Sequence, residues 1–109
     1  MLKPSPEELT LDLIPRSICT VQVAAVIVDN HGIHSWGWNS VGSGLGEHAE
    51  AAAIRRSNRR RLRGSTIYVA SIRNRNQKVI NSRPCDDCAK LISKWGLTVV
   101  FRDEQGKWI

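Results

Sequence analysis

The sequence of 109 residues has no apolar run of the about eighteen residues that a membrane-spanning helix requires. Its start, Met1-Leu2-Lys3-Pro4, also lacks the apolar core of a signal peptide. Cysteine is scarce: there are three, and two have C-x-x-C spacing, which favours a metal site in a reducing compartment over disulfides. We therefore expect a soluble, cytoplasmic protein with no membrane partner.

Acidic residues are also scarce, because sixteen lysines and arginines outnumber ten aspartates and glutamates. The net charge of +6 favours an anionic partner without identifying one, and arginine-rich surfaces are often only solvated. No internal repeat or low-complexity segment occurs, so we expect residues 1–109 to form a single domain. The glycine-rich stretch 42–46 lacks the Gly-Lys-Ser/Thr ending of a P-loop, which argues against that class of nucleotide-binding protein.

Apolar segments rich in β-branched residues alternate with helical segments. Val21 to Val28 has the composition of a strand buried on both faces, and the turn that follows predicts a hairpin. The order of strand, strand, helix, strand, helix, strand predicts an α/β sandwich with parallel later strands, because crossovers are right-handed. The expected elements are helices 6–14, 47–59 and 85–95 and strands 21–28, 33–38, 65–71 and 97–101, with 107–109 as a short addition.

Two short motifs carry the chemistry. His48-Ala49-Glu50 supplies an imidazole and a carboxylate at a helix start, and Pro84-Cys85-Asp86-Asp87-Cys88 supplies two thiols behind a proline suited to a first helical turn. Cys85 and Cys88 are three residues apart and so share one helix face. One imidazole and two thiolates are three ligands for a tetrahedral Zn²⁺, with the fourth position left open for water. Glu50 is then free to move protons.

The pattern H-x-E…P-C-x-x-C resembles the cytidine deaminase superfamily of zinc-dependent deaminases over roughly residues 20–102. The resemblance implies a three-layer α/β sandwich with a central mixed sheet of four to five strands flanked by helices. It implies a Zn²⁺ held by His48, Cys85 and Cys88, and Glu50 as the catalytic proton carrier. It also implies that Asn39 contacts the substrate sugar and that the backbone N–H of Ala49 contacts the base.

Short motifs that resemble particular branches of that superfamily indicate the class of substrate. Cys88-Ala89-Lys90 resembles the deoxycytidylate deaminases, although Ala52 stands where that branch usually has asparagine. The tRNA adenosine deaminases share His-Ala-Glu and Trp-Asn, but their Glu-Pro-Cys is absent. We expect conversion of cytosine to uracil in a phosphate-bearing substrate such as (d)CMP. The alternative is a cytosine or adenine deaminase acting on single-stranded DNA or RNA.

Basic side chains near the expected site are candidates for binding a substrate phosphate. The connection from Ile72 to Arg83 carries no acidic residue, and we expect it to lie at the mouth of the site, where cations could meet phosphate. A solvated loop is the alternative. The basic run 55–63 suits a helix C-terminus, and Arg60 is expected about 18 Å along the axis from His48, too far to line the pocket. The candidate phosphate-binding residues are Arg73, Arg75 and Arg83, with Lys78 beside them.

Two other classes of protein are alternatives to a deaminase. A structural zinc site would need a fourth protein ligand, for which Cys19, His31 or His34 could serve. A thioredoxin-like redox pair is the other rival, because Cys85 and Cys88 begin a helix after a strand. Neither rival uses Glu50.

Since the chain ends where many relatives add a helix and a strand, one wall of the pocket could come from a neighbouring subunit of a homo-oligomer.

Overall fold

The computed structural model describes residues 4–40 and 47–109, so the glycine-rich stretch 42–46 lies outside the described residues. Its helices are α1 (Pro6–Leu13), α2 (Ala49–Arg56) and α3 (Asp86–Lys94), and its strands are β1 (Val21–Asp29), β2 (Gly32–Trp38), β3 (Thr66–Arg73), β4 (Lys78–Val79) and β5 (Thr98–Phe101). Two short 3₁₀ turns occupy Ile14–Arg16 and Arg59–Arg61. In the described part of the chain, no helix combines the length and apolarity needed to cross a membrane.

The strands form one mixed sheet in the order β2-β1-β3-β4, with β5 beside β3. β1 is antiparallel to both β2 and β3, while β3 and β5 are parallel, as the crossover through α3 requires. β1 and β3 are central and nearly continuously apolar, which explains why their middle residues are buried. The expected mixed sheet and the parallel pairing of the later strands are confirmed.

Helices cover both faces of this sheet, which confirms the three-layer sandwich. α1 is capped by Ser5, whose hydroxyl accepts from the backbone N–H of Glu8 at 3.1 Å, and the helix packs on one face with Ala24, Val26 and Ala70. α2 and α3 cover the opposite face, where the core includes Ala25, Ile27, Ala53, Ile54, Ile67, Val69 and Ile92. The starts of α2 and α3 therefore lie on the same side of the sheet.

Small residues set the distance between α2 and the sheet. Ala49, Ala52 and Ala53 are buried, as the alanine-rich sequence of the helix predicts. Gly37 on β2 lies directly beneath them, because a Cβ built there would lie 2.6 Å from Ala53 N and 2.7 Å from Ala52 Cβ. Ser35 donates to the carbonyl of Ala53 at 2.7 Å and fixes the helix to the same strand.

The prediction that the helix expected over 47–59 runs to Arg59 is wrong, because this helix, α2, ends at Arg56. Ser57 takes an extended conformation and donates its hydroxyl to the carbonyl of Ile54 at 2.5 Å. The next backbone N–H, that of Asn58, donates to His34 Nε2 at 3.0 Å. Serine and asparagine compete with the helical hydrogen bonds in this way. The distance estimated for Arg60 along a helix axis therefore does not apply.

The connection from Ile72 to Arg83 is also more ordered than a solvated loop. β3 extends to Arg73 and turns back into β4, pairing Ile72 with Val79 and Arg73 with Lys78. Asn76 Oδ1 accepts from the Lys78 N–H at 3.0 Å, and Gln77 has a positive φ of 55°. A strand of two residues carries too little hydrophobic pattern to be recognised in a sequence.

We predict that Gly37→Ala destabilises the protein by about 1–3 kcal/mol, because the added methyl overpacks the contact with α2. Moving α2 also moves His48, so the variant should bind zinc more weakly. Gly32→Ala is the matched control: its added methyl meets no atom within 4 Å, although the φ of +114° is unfavourable for alanine. Chemical denaturation and competitive zinc titration should show lost stability in both variants and weaker zinc binding only in Gly37→Ala. Unchanged zinc affinity in a destabilised Gly37→Ala would contradict this coupling.

Candidate active site

His48 is the residue immediately before α2 and occupies its N-cap position. Its carbonyl accepts the first helical bond, from the N–H of Ala52 at 2.9 Å, but its side chain makes no capping hydrogen bond. The imidazole is exposed and approaches the start of α3, with Nδ1 3.2 Å from Cys88 Sγ. The histidine is therefore held by backbone structure while its ring is free to bind a ligand.

The two cysteines occupy the equivalent end of α3. Cys85 is its N-cap, and Cys88 is buried one turn further on. Pro84 precedes the N-cap, so it lies outside the helical turn for which its ring is suited. The N-terminus of a helix carries positive partial charge, so both cysteines lie at the positive end of α3.

The three side chains form one compact group. The ligand atoms of His48, Cys85 and Cys88 all lie within 4.8 Å of one another, with His48 Nδ1 3.6 Å from Cys85 Sγ. Zinc bond lengths of about 2.3 Å to sulfur and about 2.0 Å to nitrogen imply roughly 3.5 Å between such ligands in a tetrahedral site. The donor set and its spacing fit Zn²⁺, as the sequence predicts.

The ionisation of Cys88 supports the same assignment. Burial raises the pKa of the Cys88 thiol far above its usual range, and the neighbouring Glu50 carboxylate raises it further. A thiolate at this position therefore needs a cation beside it. A metal ion supplies that charge and binds the deprotonated sulfur.

Among the described residues, no further histidine, cysteine, aspartate or glutamate joins this group. His34 accepts a hydrogen bond from Asn58 beyond the far end of α2, and His31 lies in the β1–β2 turn. Cys19 is half-buried ahead of β1. The fourth protein ligand that a structural zinc site requires is therefore missing from the described part of the chain, and three ligands with an open position are typical of catalytic zinc.

Glu50 lies in the first turn of α2 and is only 5% exposed. Burial raises the pKa of its carboxyl, while the backbone N–H of Glu50 itself and the nearby His48 oppose that shift. The carboxyl is close enough to Cys88 to share a hydrogen bond with it. A buried carboxyl with a raised pKa beside a metal site is suited to accepting and returning a proton.

A cavity of about 310 Å³ opens beside this group. His48, Glu50 and Cys85 line it, so two of the three metal ligands and the carboxyl face one space. Its volume is at the lower end of the range for small-molecule sites.

The structure brings two further predicted residues to this cavity, Asn39 and Ala49. Ala49 is the first residue of α2, where backbone N–H groups have no helical partner and can point at a ligand. Asn39 immediately follows β2 and holds the start of β1 through its side-chain amide. Both positions are compatible with the contacts that the family resemblance implies.

The predicted cations are separated by the fold. Arg83 lines the cavity, next to Pro84 and the ligand Cys85. Arg73, Arg75 and Lys78 belong to the exposed β3–β4 hairpin and are not among the residues that line it. The connection therefore reaches the cavity with its last residues only.

Sequence reasoning missed several residues of the cavity wall. Ser71 and Ser82 are buried, and their hydroxyl oxygens lie 2.8 Å apart. Ser71 is near the carboxyl end of β3, where ligands of α/β sheets bind, and that position was an available signal. The remaining wall comes from the start of β1 and from the residues after β4, which meet the carboxyl end of β3, and no local pattern marks it: Val21, Val23, Ile80 and Asn81.

Comparison with known proteins agrees with this geometry. The family model described as the cytidine and deoxycytidylate deaminase zinc-binding region matches residues 10–102. No curated protein sequence matches the chain significantly.

Solved structures share the fold at low sequence identity. Cytidine deaminase from Burkholderia pseudomallei has a TM-score of 0.73 and 20% identity, over 100% of this chain and 91% of that one. The dCMP deaminase of cyanophage S-TIM5 has a TM-score of 0.60 and 24% identity, over 94% and 86%. RibD of Acinetobacter baumannii has a TM-score of 0.67 and 22% identity, over 90% of this chain and 27% of that one. With the match over residues 10–102, the chain belongs to the cytidine and deoxycytidylate deaminase family of zinc-dependent hydrolytic deaminases.

Proposed function

We propose that this deaminase converts cytosine to uracil in a phosphate-bearing mononucleotide such as CMP or dCMP, with release of ammonia. The observation that carries the proposal is the cavity lined by Glu50, by the metal ligands His48 and Cys85, and by Arg83. The deaminated base would lie against Glu50 and the start of α2, and the phosphate would lie toward Arg83. Residues 1–109 would act as one domain.

Glu50 would move the protons of the reaction. Zinc, when held by His48, Cys85 and Cys88, supplies the Lewis acidity that makes water nucleophilic at neutral pH. Glu50 takes a proton from the attacking water, passes it to the ring nitrogen and then assists protonation of the leaving amine. Its burial keeps bulk water from exchanging that proton, and its raised pKa favours holding it between steps.

Backbone and amide groups would orient the substrate. The N–H of Ala49, in the first turn of α2, would donate to the base, and Asn39, which also lines the cavity, would contact the sugar. Hydrogen-bond donors held by a helix start do not have to reorganise during reaction.

Charge distribution supports a mononucleotide over a strand of DNA or RNA. Most arginines of the basic run 55–63 contact other residues of the protein: Arg55 binds Glu47 through two hydrogen bonds of 2.8 Å, Arg61 binds Asp29, and Arg56 and Arg59 lie over Trp38 and Trp95. Arginines held in this way are less available to neutralise a row of phosphates. The cyanophage S-TIM5 dCMP deaminase was crystallised in complex with dCMP and dUMP, which also supports a mononucleotide.

A homo-oligomer fits the open side of the site. Ile18 is 79% exposed and Val21, which lines the cavity, is 37% exposed. Covering exposed apolar side chains removes their surface from water, which favours association. We infer that a second copy of the chain covers them.

For Glu50→Gln we predict a loss of turnover of about 10²- to 10⁴-fold with full zinc content, because the amide cannot carry a proton. Glu47→Gln is the control, since Glu47 is paired with Arg55 outside the cavity lining and should retain activity. Zinc content by mass spectrometry and CMP and dCMP deamination by absorbance measure the two properties separately. Wild-type turnover in Glu50→Gln would remove this carboxylate from the mechanism.

Arg83→Ala should raise the KM for CMP and leave cytidine kinetics unchanged, because only the nucleotide has a phosphate for the guanidinium to bind. A charge-assisted hydrogen bond corresponds to a loss of about ten- to a hundredfold. Arg73→Ala removes an equal charge from the hairpin, outside the cavity lining, and should have a much smaller effect. Equal kcat/KM for cytidine and CMP in the wild type, unaltered by Arg83→Ala, would contradict a contact between Arg83 and the substrate phosphate. A steep salt dependence on single-stranded DNA without CMP turnover would support the nucleic-acid alternative.

A further inference from the structure

The side-chain amide of Asn39 lies at the centre of a hydrogen-bond network at the cavity wall. Its Oδ1 accepts from the Val23 N–H at 2.9 Å and faces Ser17 Oγ at 2.6 Å. Its Nδ2 donates to the carbonyl of Val21 at 2.7 Å. The bonds to oxygen are partly buried, whereas the bond from nitrogen is exposed.

The backbone partners fix which end of the amide is oxygen. A backbone N–H can only donate, so the atom facing Val23 must be Oδ1, and a carbonyl can only accept, so the atom facing Val21 must be Nδ2. Because Oδ1 cannot donate, the Ser17 hydroxyl must give its hydrogen to Asn39. The same hydroxyl oxygen accepts from the Cys19 N–H at 3.2 Å.

Counting donors and acceptors shows what Asn39 can offer a ligand. Both lone pairs of Oδ1 are used, by Ser17 and Val23, and one of the two Nδ2 hydrogens is used by Val21. No other residue within 4–40 and 47–109 accepts from the second Nδ2 hydrogen, and Asn39 lines the cavity. Asn39 therefore faces the cavity as a hydrogen-bond donor.

We propose that Ser17 is a positioning residue for substrate recognition: its hydroxyl locks Asn39 so that the amide presents one N–H to an acceptor oxygen of a pentose hydroxyl. Ser17 is only 1% exposed, and its own carbonyl is held by Gln22 Nε2 at 2.5 Å. It therefore acts through Asn39 and does not touch the substrate. This proposal rests on the nucleotide substrate proposed above and adds the polarity of the sugar contact and the residue that sets it.

Ser17→Ala tests the proposal against a purely structural role, with Ser17→Thr as the variant that retains the donor hydroxyl. Each protein is assayed on CMP and on its 2′-deoxy and 3′-deoxy forms. We expect Ser17→Ala to raise the KM for CMP about three- to tenfold, the effect of one hydrogen bond, with kcat within twofold. The penalty should vanish on the deoxy form that lacks the contacted hydroxyl, and threonine should restore the KM.

Amide proton exchange of Asn39, followed by NMR, reports on the lock without any turnover. In Ser17→Ala both Nδ2 protons should exchange faster than in the wild type, and Ser17→Thr should restore slow exchange of the proton bonded to Val21. Equal KM penalties on all three substrates, or unchanged exchange in a folded Ser17→Ala, would overturn the proposal. If no cytosine nucleotide is deaminated, the proposed function fails, and the exchange measurement alone decides whether Ser17 holds Asn39.

Discussion

The contact on which the structure depends is the meeting of two helix starts, where His48 Nδ1 lies 3.2 Å from Cys88 Sγ. The two residues are forty positions apart in sequence, so the contact requires the sheet between them to be formed. Burial makes an isolated Cys88 thiolate unfavourable, and a cation compensates that cost. Metal binding is consequently linked to folding: a structure that brings the ligands together also gains the free energy of binding zinc.

The need to bring the starts of α2 and α3 together also explains features that lie far from the metal site. α2 must approach β2 closely for His48 to reach α3, and glycine at position 37 with alanines at 52 and 53 permits that approach. Arginines at and beyond the last residue of α2 secure its far end, with Arg56 over Trp38 and Arg61 bound to Asp29. These arginines would strengthen the scaffold, and the positive net charge of the chain need not indicate a nucleic-acid surface. Binding specificity would then rest with the few polar groups at the cavity.

The metal group and the fold class could be predicted from the sequence because both depend on local signals. Ligand types and their spacing in His48-Ala49-Glu50 and Cys85–Cys88 identify the chemistry, and the buried strands identify the sheet. The end of α2 could not be predicted, because it depends on a hydrogen bond from Asn58 to His34, and His34 lies on β2, far away in the sequence. The cavity wall was missed for a similar reason: Ser71 and Ser82 meet only after β3 and its hairpin have formed. Asn39 was predicted from family resemblance, but its bonds to Ser17, Val21 and Val23 are tertiary contacts that no sequence pattern encodes.

X-ray absorption at the zinc edge tests the central claim most directly, because it counts the atoms bound to the metal. The purified protein should contain one zinc per chain with two sulfur neighbours at about 2.3 Å and two nitrogen or oxygen neighbours at about 2.0 Å. One of the light-atom neighbours should be exchangeable, and the spectrum should change when a zinc-binding inhibitor occupies the open position. A shell with fewer than two sulfurs, or four protein ligands unaffected by the inhibitor, would contradict a catalytic centre built from the starts of α2 and α3.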